Sequence, residues 1–367
     1  MRFECNKEKI LGAITKAERI TGKNLNLPVL SCILLETTKD SVKIKATNLD
    51  IGLEINISCK VLEQGTVAVS GNILSSYISS LGKNDNSLNF SLQNDNLYIS
   101  SKNSETIIKT LPSEDFPSIP RINSSKSFSI KNNDLLNGLK SVWYSASISN
   151  IKPELSSVYL YPEGEDIYFV ATDSFRLAEK SVRVGKTEGF EAVLIPFKNT
   201  TEISKIFEEE DGQIEIFFDN DQIVFKNQQI YLITRIVDGI FPDYRQIIPK
   251  DFSTVVTILK EDFIQAMRVS NIFSNNFNQV TLTVLTSDEI FEISTQNKDK
   301  GETINKVKIN VEGESIKINF NQKYLNDCLS SINSDSLKLT FSGTGKPLII
   351  TGVKDSTFRY LVMPMSK

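Results

Sequence analysis

Along most of the chain, apolar and polar residues alternate over short runs, and at six places the alternation gives way to helical spacing. FECNKEKILGAITKAERI, SFSIKNNDLLNGLKSVWYSAS and TVVTILKEDFIQAMRVSNIF each open as a strand and continue as an amphipathic helix. In the first, Ile10, Leu11, Ile14 and Ala17 recur at helical intervals and are expected to pack on a sheet. VAVSGNILSSYISSLG, AVLIPFKNTTEISKIFEEED and IKINFNQKYLNDCLSSINSD form a second set of strand-helix pairs, with Ile203, Ile206 and Phe207 on the core side of the middle one. SLNFSLQNDNLYISS, GQIEIFFDNDQIVFKN and LKLTFSGTGKPLIITG read as hairpins, with Asn, Asp or Gly in their turns.

These three kinds of segment recur in the same order three times. Pro117 and Pro242 stand 125 residues apart in similar surroundings, and Pro364 follows 122 residues later. The period is too long for a solenoid, so each repeat is a domain. The expected fold class is α+β, with three similar domains at 1–122, 127–250 and 251–367, each carrying two helices on antiparallel sheets. Linkers are expected near 120–127 and 249–254, beside Pro120 and Pro249.

Charge sharpens this picture. The 41 Lys and Arg stand against 45 Asp and Glu over 367 residues, a net charge of -4, so a uniformly basic nucleic-acid coat is excluded. Yet Lys9 and Lys16 share one helix face, Lys198 and Lys205 another, and Lys140, Arg268 and Lys323 fall on the polar sides of their helices. One reading is ordinary solvated helices; the other is a helix layer that presents positive charge while the strands carry the acidic excess. No histidine is present, which removes the Ser-His-Asp triad and every His-ligated metal site. Cys5, Cys32, Cys59 and Cys328 form no CxxC pair, so no structural metal is expected and a reducing, cytoplasmic compartment is. No signal peptide or membrane span is apparent, so no membrane association is expected. The best case for an enzyme rests on Asp166, Asp173, Asp238 and Asp243 as metal ligands. Asp173 and Asp243 read equally well as turn residues, no phosphate loop is present, and neither catalysis nor a cofactor is expected.

ATDSFRLA (171–178), VDGIFPDYRQIIP (237–249), the terminal VMPM (362–365) and LPVLSCILLE (27–36) resemble the signatures of the bacterial DNA polymerase III β subunit, the sliding clamp. The resemblance covers the whole chain. It implies a DNA clamp fold that closes as a head-to-tail homodimer ring of six domains, encircles double-stranded DNA without reading sequence, and tethers the polymerase for processive replication. Twelve helices of about 10 Å diameter would enclose a hole of roughly 28 Å, wide enough for a duplex of roughly 20 Å. The expected DNA-facing residues are Lys9, Lys16, Lys23, Lys140, Lys152, Lys198, Lys205, Arg268 and Lys323. The family often has basic residues where this chain has Asn24 and Ile73.

The resemblance further implies a pocket for short linear motifs of the replicative polymerase, the clamp loader and repair proteins. Matched positions are Leu155, Thr172, Ser174, Phe175, Arg176, Leu177, Pro242 and Ile247, with Asn321, Tyr324, Pro347, Met363, Pro364 and Met365 from the third repeat. Arg176 and Asn321 are expected to orient the peptide backbone. The family has Gly-His where this chain has Ser174-Phe175. At the ring seam the matched positions are Thr106, Ile107 and Ile108 on one end and Ile272 and Phe273 on the other. The competing function is a β-rich interaction scaffold with no DNA-encircling role, which would share the pocket but not need the basic inner face.

Overall fold

The computed structural model describes residues 1–22, 26–82, 85–122, 127–185, 187, 189–219 and 221–365. Its contacts group into two units, 1–133 with 189–190 and 201–236, and 134–187 with 191–200 and 237–365.

The first unit holds a 13-stranded sheet. Strands Cys32–Thr37, Ser41–Thr47 and Ile51–Ser58 form a meander, and the last of these pairs antiparallel with Ile230–Arg235, Leu53 opposite Leu232. Through that pairing the sheet passes from the first repeat into the strands Gln222–Lys226, Gln213–Phe218 and Ser127–Lys131 of the second. At its other end lie Gly65–Ser70, Glu105–Leu111, Asn96–Ser100, Ser87–Gln93, Arg2–Asn6 and Lys60–Glu63. The hairpin between Ser87–Gln93 and Asn96–Ser100 turns at Asn94 and Asp95, both with positive φ (48° and 56°), the pair a tight I′-like turn requires. Helix α1 (Lys7–Ile20) starts where the Asn6 side chain accepts the Lys9 amide, and it buries Ile10, Ala13, Ile14, Ala17 and Ile20. Helix α2 (Gly71–Ser80) is capped by Ser70 and buries Leu74 and Ile78.

The second unit has a nine-stranded and a four-stranded sheet. The larger one is continuous through the antiparallel pairing of Arg176–Arg183 with Phe358–Val362, Leu177 opposite Leu361. The smaller runs Gly301–Lys308, Ile290–Asn297, Gln279–Leu285, Ile316–Asn321. Helix α3 (Asn132–Val142), beyond its first two residues, packs Leu135, Leu139 and Val142 inward. Gly138 lies so close to the Phe169 ring that a Cβ there would fall 2.5 Å from it, so only glycine fits. Helix α4 (Phe197–Phe207) divides between the units after Thr200, with Ile203, Ile206 and Phe207 buried as expected. Helices α5 (Lys260–Ile272) and α6 (Gln322–Asp327) complete six α-helices among the described residues, two in each repeat.

The grouping by contact cuts through the central repeat and not at the linkers. The cause is that both large sheets cross a repeat boundary by full strand pairing, which makes contact as dense there as within a repeat.

Candidate functional site

The matched pocket residues all lie in the second unit. The strands Asp166–Thr172 and Arg176–Arg183 are joined by a tight turn that their own side chains close. Thr172 Oγ1 donates to the Arg176 carbonyl (2.7 Å), and Asp173 Oδ1 accepts the amides of Phe175 (2.9 Å) and Arg176 (3.0 Å). Ser174 is held at φ 77°, in the left-handed region where glycine is at ease and serine is strained by about 1 kcal/mol. The turn pushes Phe175 outward with 62% of its surface exposed, while its carbonyl accepts the Met363 amide (2.8 Å).

Arg176 is buried and bonded through all three of its nitrogens. Its Nε donates to Asp173 (3.0 Å), Nη1 to Asp327 (2.5 Å) and Nη2 to the Tyr144 carbonyl, and the guanidinium lies 4.3 Å from the Tyr324 ring centre. Burial alone would favour loss of its proton, but Tyr360, Asp327 and Asp173 outweigh burial and hold it above its ordinary range. Arg176 therefore ties the turn to α6 and to the Tyr144 segment through one N–H on each of its three nitrogens. Asn321 Oδ1 caps α6 by accepting the amides of Lys323 (3.0 Å) and Tyr324 (3.4 Å). Sequence reasoning missed Tyr144, Asp173 and Asp327 as members of this set.

Leu177 is 1% exposed in an apolar cluster with Val170, Leu194, Phe241, Tyr244, Ile349 and Leu361, so it is core as well as floor. The same cluster seats the segment that carries Pro242, whose own ring is exposed. Tyr244 donates its hydroxyl to Glu179, and Arg245 grips Glu163, so this segment is clamped down by polar groups too. Burial first, then Glu179, pushes the Tyr244 phenol well above its usual range. Strand pairing of Leu348 with Val362 places Pro347 beside Met363. Met365 donates its amide to the Asn319 carbonyl (2.8 Å), and Pro364 is half-buried between them. Leu155 is buried at the end of a loop closed by Ser147 N to Leu155 O (2.8 Å), and Ile247 is exposed at the end of the helical turn Tyr244–Ile247. Neither of these two shares the hydrogen bonds or the cluster just described. Phe175 and Met363, joined through their backbones, and Ile247 leave apolar side chains exposed. A separate cleft of about 670 Å³ along Val255, Glu312 and Arg359 shares none of these residues.

The helix cations are less free than their spacing suggests. Lys16 is half-buried and ion-paired with Glu210, which also accepts from Asn227 (3.0 Å). Glu202 bridges Arg19 (2.9 Å) and Lys205 (3.4 Å). Lys9, Arg268 and Lys323 are exposed on α1, α5 and α6; Lys152 is exposed on a loop; Lys198 is exposed and Lys140 half-buried. Lys23 lies outside the described residues. The six helices carry ten Lys and Arg against seven Asp and Glu, a positive balance in a chain that is negative overall.

Each unit has an open strand edge. Glu105–Leu111 pairs with Asn96–Ser100 through Glu105 to Lys109, but with Gly65–Ser70 only through Thr110 and Leu111. Ile107 points out, 64% exposed, between half-buried Thr106 and buried Ile108. In the second unit Gly301–Lys308 is the outer strand of its sheet, with Ile304 60% exposed, and α5 ends at Ile272, 63% exposed, and half-buried Phe273. Of the four aspartates considered as metal ligands, Asp173 closes its turn as above and Asp243 accepts from the Gln246 side chain (2.7 Å). No helix among the described residues is long and apolar enough to cross a membrane.

Three repeats with two helices each, and antiparallel sheets that run on from repeat to repeat, define a DNA clamp fold. Solved clamps superpose on the whole chain: that of Bacillus subtilis with a TM-score of 0.94 at 24% identity, covering 100% of this chain and 99% of that one, and the DNA polymerase III subunit beta of Pseudomonas aeruginosa with 0.93 at 23%, covering 100% of both. Family models of the DNA polymerase III beta subunit match its N-terminal domain at residues 1–120, its central domain at 129–243 and its C-terminal domain at 245–366. The beta sliding clamp of Staphylococcus epidermidis is 25% identical over 374 residues, spanning 100% of this chain and 99% of that protein. The chain belongs to the DNA polymerase III beta subunit family. It is thus a sliding clamp, a processivity factor and not a catalyst, and the scaffold without a DNA role is not favoured.

Proposed function

We propose that two copies join head to tail into a closed ring around duplex DNA and that the tract around Phe175 and Met363 receives linear peptides from polymerase, clamp loader and repair proteins in the cytoplasm. The observation that carries this reading is the pair of open strand edges. Backbone groups of Glu105–Lys109 on one copy can pair with Gly301–Lys308 of a second, which extends a sheet between chains and covers Ile107, Ile272, Phe273 and Ile304. Left uncovered, such edges invite aggregation. Lys9, Lys16, Lys23, Lys140, Lys152, Lys198, Lys205, Arg268 and Lys323 then face the duplex and touch phosphates without reading bases.

The groove reading rests on exposed apolar side chains beside a braced turn. Phe175, Met363 and Ile247 offer a slot for an aliphatic or aromatic anchor, and methionine adapts to anchors of different shape. Leu155, Thr172, Ser174, Arg176, Leu177, Pro242, Asn321, Tyr324, Pro347, Pro364 and Met365 form or support that slot. The test is retention on nicked circular DNA, loaded with a clamp loader and ATP. A topological tether stays on the circle and is released when the circle is cut; equal release from circular and linear DNA refutes the ring.

A further inference from the structure

Two cysteines far apart in sequence meet in the first unit. Strand Arg2–Asn6 pairs antiparallel with Lys60–Glu63, Phe3 opposite Val61 and Glu4 opposite Lys60. One more step of the same register sets Cys5 opposite Cys59. The only irregularity in this pairing lies between Arg2 and Phe3, on the other side. Side-chain parity agrees. Phe3 and Cys5 are buried while Arg2 is exposed, and Val61 and Cys59 are half-buried between exposed Ser58, Lys60 and Leu62. Both thiols therefore point to the core face of one pair of strands. Residues directly opposed in an antiparallel pair hold their Cβ atoms about 4.5–5.5 Å apart, and a disulfide asks for roughly 3.5–4.5 Å. The remaining gap is small for a chain that is changing direction at Cys59, where the amide already reaches back to the Asp40 carbonyl (3.0 Å).

We infer that Cys5 and Cys59 are a thiol pair built to close into an intrachain disulfide when the protein meets a hydroperoxide. Both are free thiols in the structure. Cys59, the more exposed, attacks as thiolate; the peroxide O–O bond breaks, an alcohol or water leaves, and Cys59 becomes a sulfenic acid. The Cys5 sulfur then attacks Cys59, the S–O bond breaks, water leaves, and the S–S bond forms. Two thiols give up two electrons and two protons, and the hydroperoxide takes them up. The other two cysteines have no such neighbour: Cys32 lies opposite Ser70, and Cys328 is buried with its thiol donated to the Leu325 carbonyl (3.3 Å).

The electrostatics fit a thiol pair that reacts slowly. Burial and then the charge of Cys59 push Cys5 up to about 12, and burial and then Asp40 push Cys59 up to about 11. With so little thiolate at neutral pH, the linkage should form slowly and speed up about tenfold per pH unit from 7 to 9.

The experiment treats the full-length protein with hydrogen peroxide, blocks remaining thiols with an alkylating agent in denaturant, and maps peptides by mass spectrometry without reductant. The expected result is one linked Cys5–Cys59 peptide, two hydrogens lighter than its parts and released by reductant, with Cys32 and Cys328 fully alkylated. Cys5→Ser should halt at a sulfenic acid on Cys59 that a dimedone probe traps. The oxidised wild type should melt several degrees higher, because the link closes a long loop in the unfolded chain. Wild-type protein in which Cys59 is oxidised while Cys5 remains alkylatable, or is linked to a second chain, overturns the inference. So does protein in which both remain alkylatable after prolonged oxidation at pH 9.

Discussion

Asp327→Asn removes one of the two carboxylates that brace Arg176. The change keeps the size and one hydrogen-bond acceptor, so what it takes away is mainly charge. Arg176 is 9% exposed, and its bond to Asp327 is the shorter of its two carboxylate contacts (2.5 Å against 3.0 Å to Asp173). Breaking a fully buried ion pair typically costs about 3–5 kcal/mol. Asp327 retains 28% side-chain exposure, and Asp173 and the Tyr144 carbonyl stay in place, so the guanidinium is never left alone. The expected loss is nearer the value of one charged hydrogen bond, about 2 kcal/mol. It should appear as a lower urea midpoint, measured at fixed protein concentration because association contributes. The same substitution frees the turn that carries Phe175, so a fluorescent linear-motif peptide should bind several-fold more weakly by anisotropy, with faster release. Asp327 is not among the matched pocket positions, so weakened binding would act through Arg176. An unchanged midpoint together with unchanged peptide affinity would refute the claim that Arg176 ties the turn in place.

Other expectations separate core from groove and paired from free charge. Leu177→Ala should cost about 2–5 kcal/mol of stability because it empties a sealed cluster, whereas Met363→Ala, half out of the core, should weaken peptide binding by about 1–3 kcal/mol and leave the unfolding midpoint nearly unchanged; equal effects of both on stability would speak against that division. Glu202→Gln with Glu210→Gln releases Lys16, Arg19 and Lys205, so DNA binding should tighten and its log–log salt slope steepen by about 1–2; an unaltered slope in a salt titration removes those residues from the DNA-facing set. Cys5, Cys59 and Tyr244 all hold their protons more tightly folded than unfolded. Their contribution is complete below the ordinary thiol and phenol range and fades as pH rises through about 11 to 12, so the urea midpoint should fall between pH 9 and 11. A flat midpoint over that window would contradict the burial of these groups.

Much of the fold was legible because it rests on local periodicity. The helix faces at Ile10, Ile14 and Ala17 and at Ile203, Ile206 and Phe207 were readable from spacing alone and are buried. What the sequence could not reveal is which distant residue answers a given side chain. The ties of Arg176 to Asp327, 151 residues away, and to the carbonyl and ring of Tyr144 were not readable from the sequence around it. Lys16 looked free for the same reason, its partner Glu210 being 194 residues distant. Asn321 was a missed local signal, since an asparagine directly before a helix is a capping residue before it is anything else. Ser174 shows the reverse. Its positive φ is one that glycine adopts at ease, and the strain is tolerated because Asp173 and Thr172 tie the turn from both sides.

The paired cations bear on how a clamp can hold DNA without gripping it. A lining of unopposed lysines would bind phosphates strongly, and each neutralised phosphate would add to the salt-dependent affinity that slows movement along the duplex. Glu202 and Glu210 reduce that attraction at Lys16, Arg19 and Lys205 without removing the cations. Solvent-exposed ion pairs of this kind are worth about 0–1 kcal/mol, so a passing phosphate can displace the exposed Lys205 from Glu202 and lose it again at little cost. Lys16, less exposed and shared in a network with Asn227, should yield less readily. Under the ring reading, α1 and the end of α4 form a graded surface: Lys9 always available, Lys205 exchangeable, Lys16 largely reserved. Closure of the ring, and not charge, must then supply most of the retention, which is why topology is the property to test first.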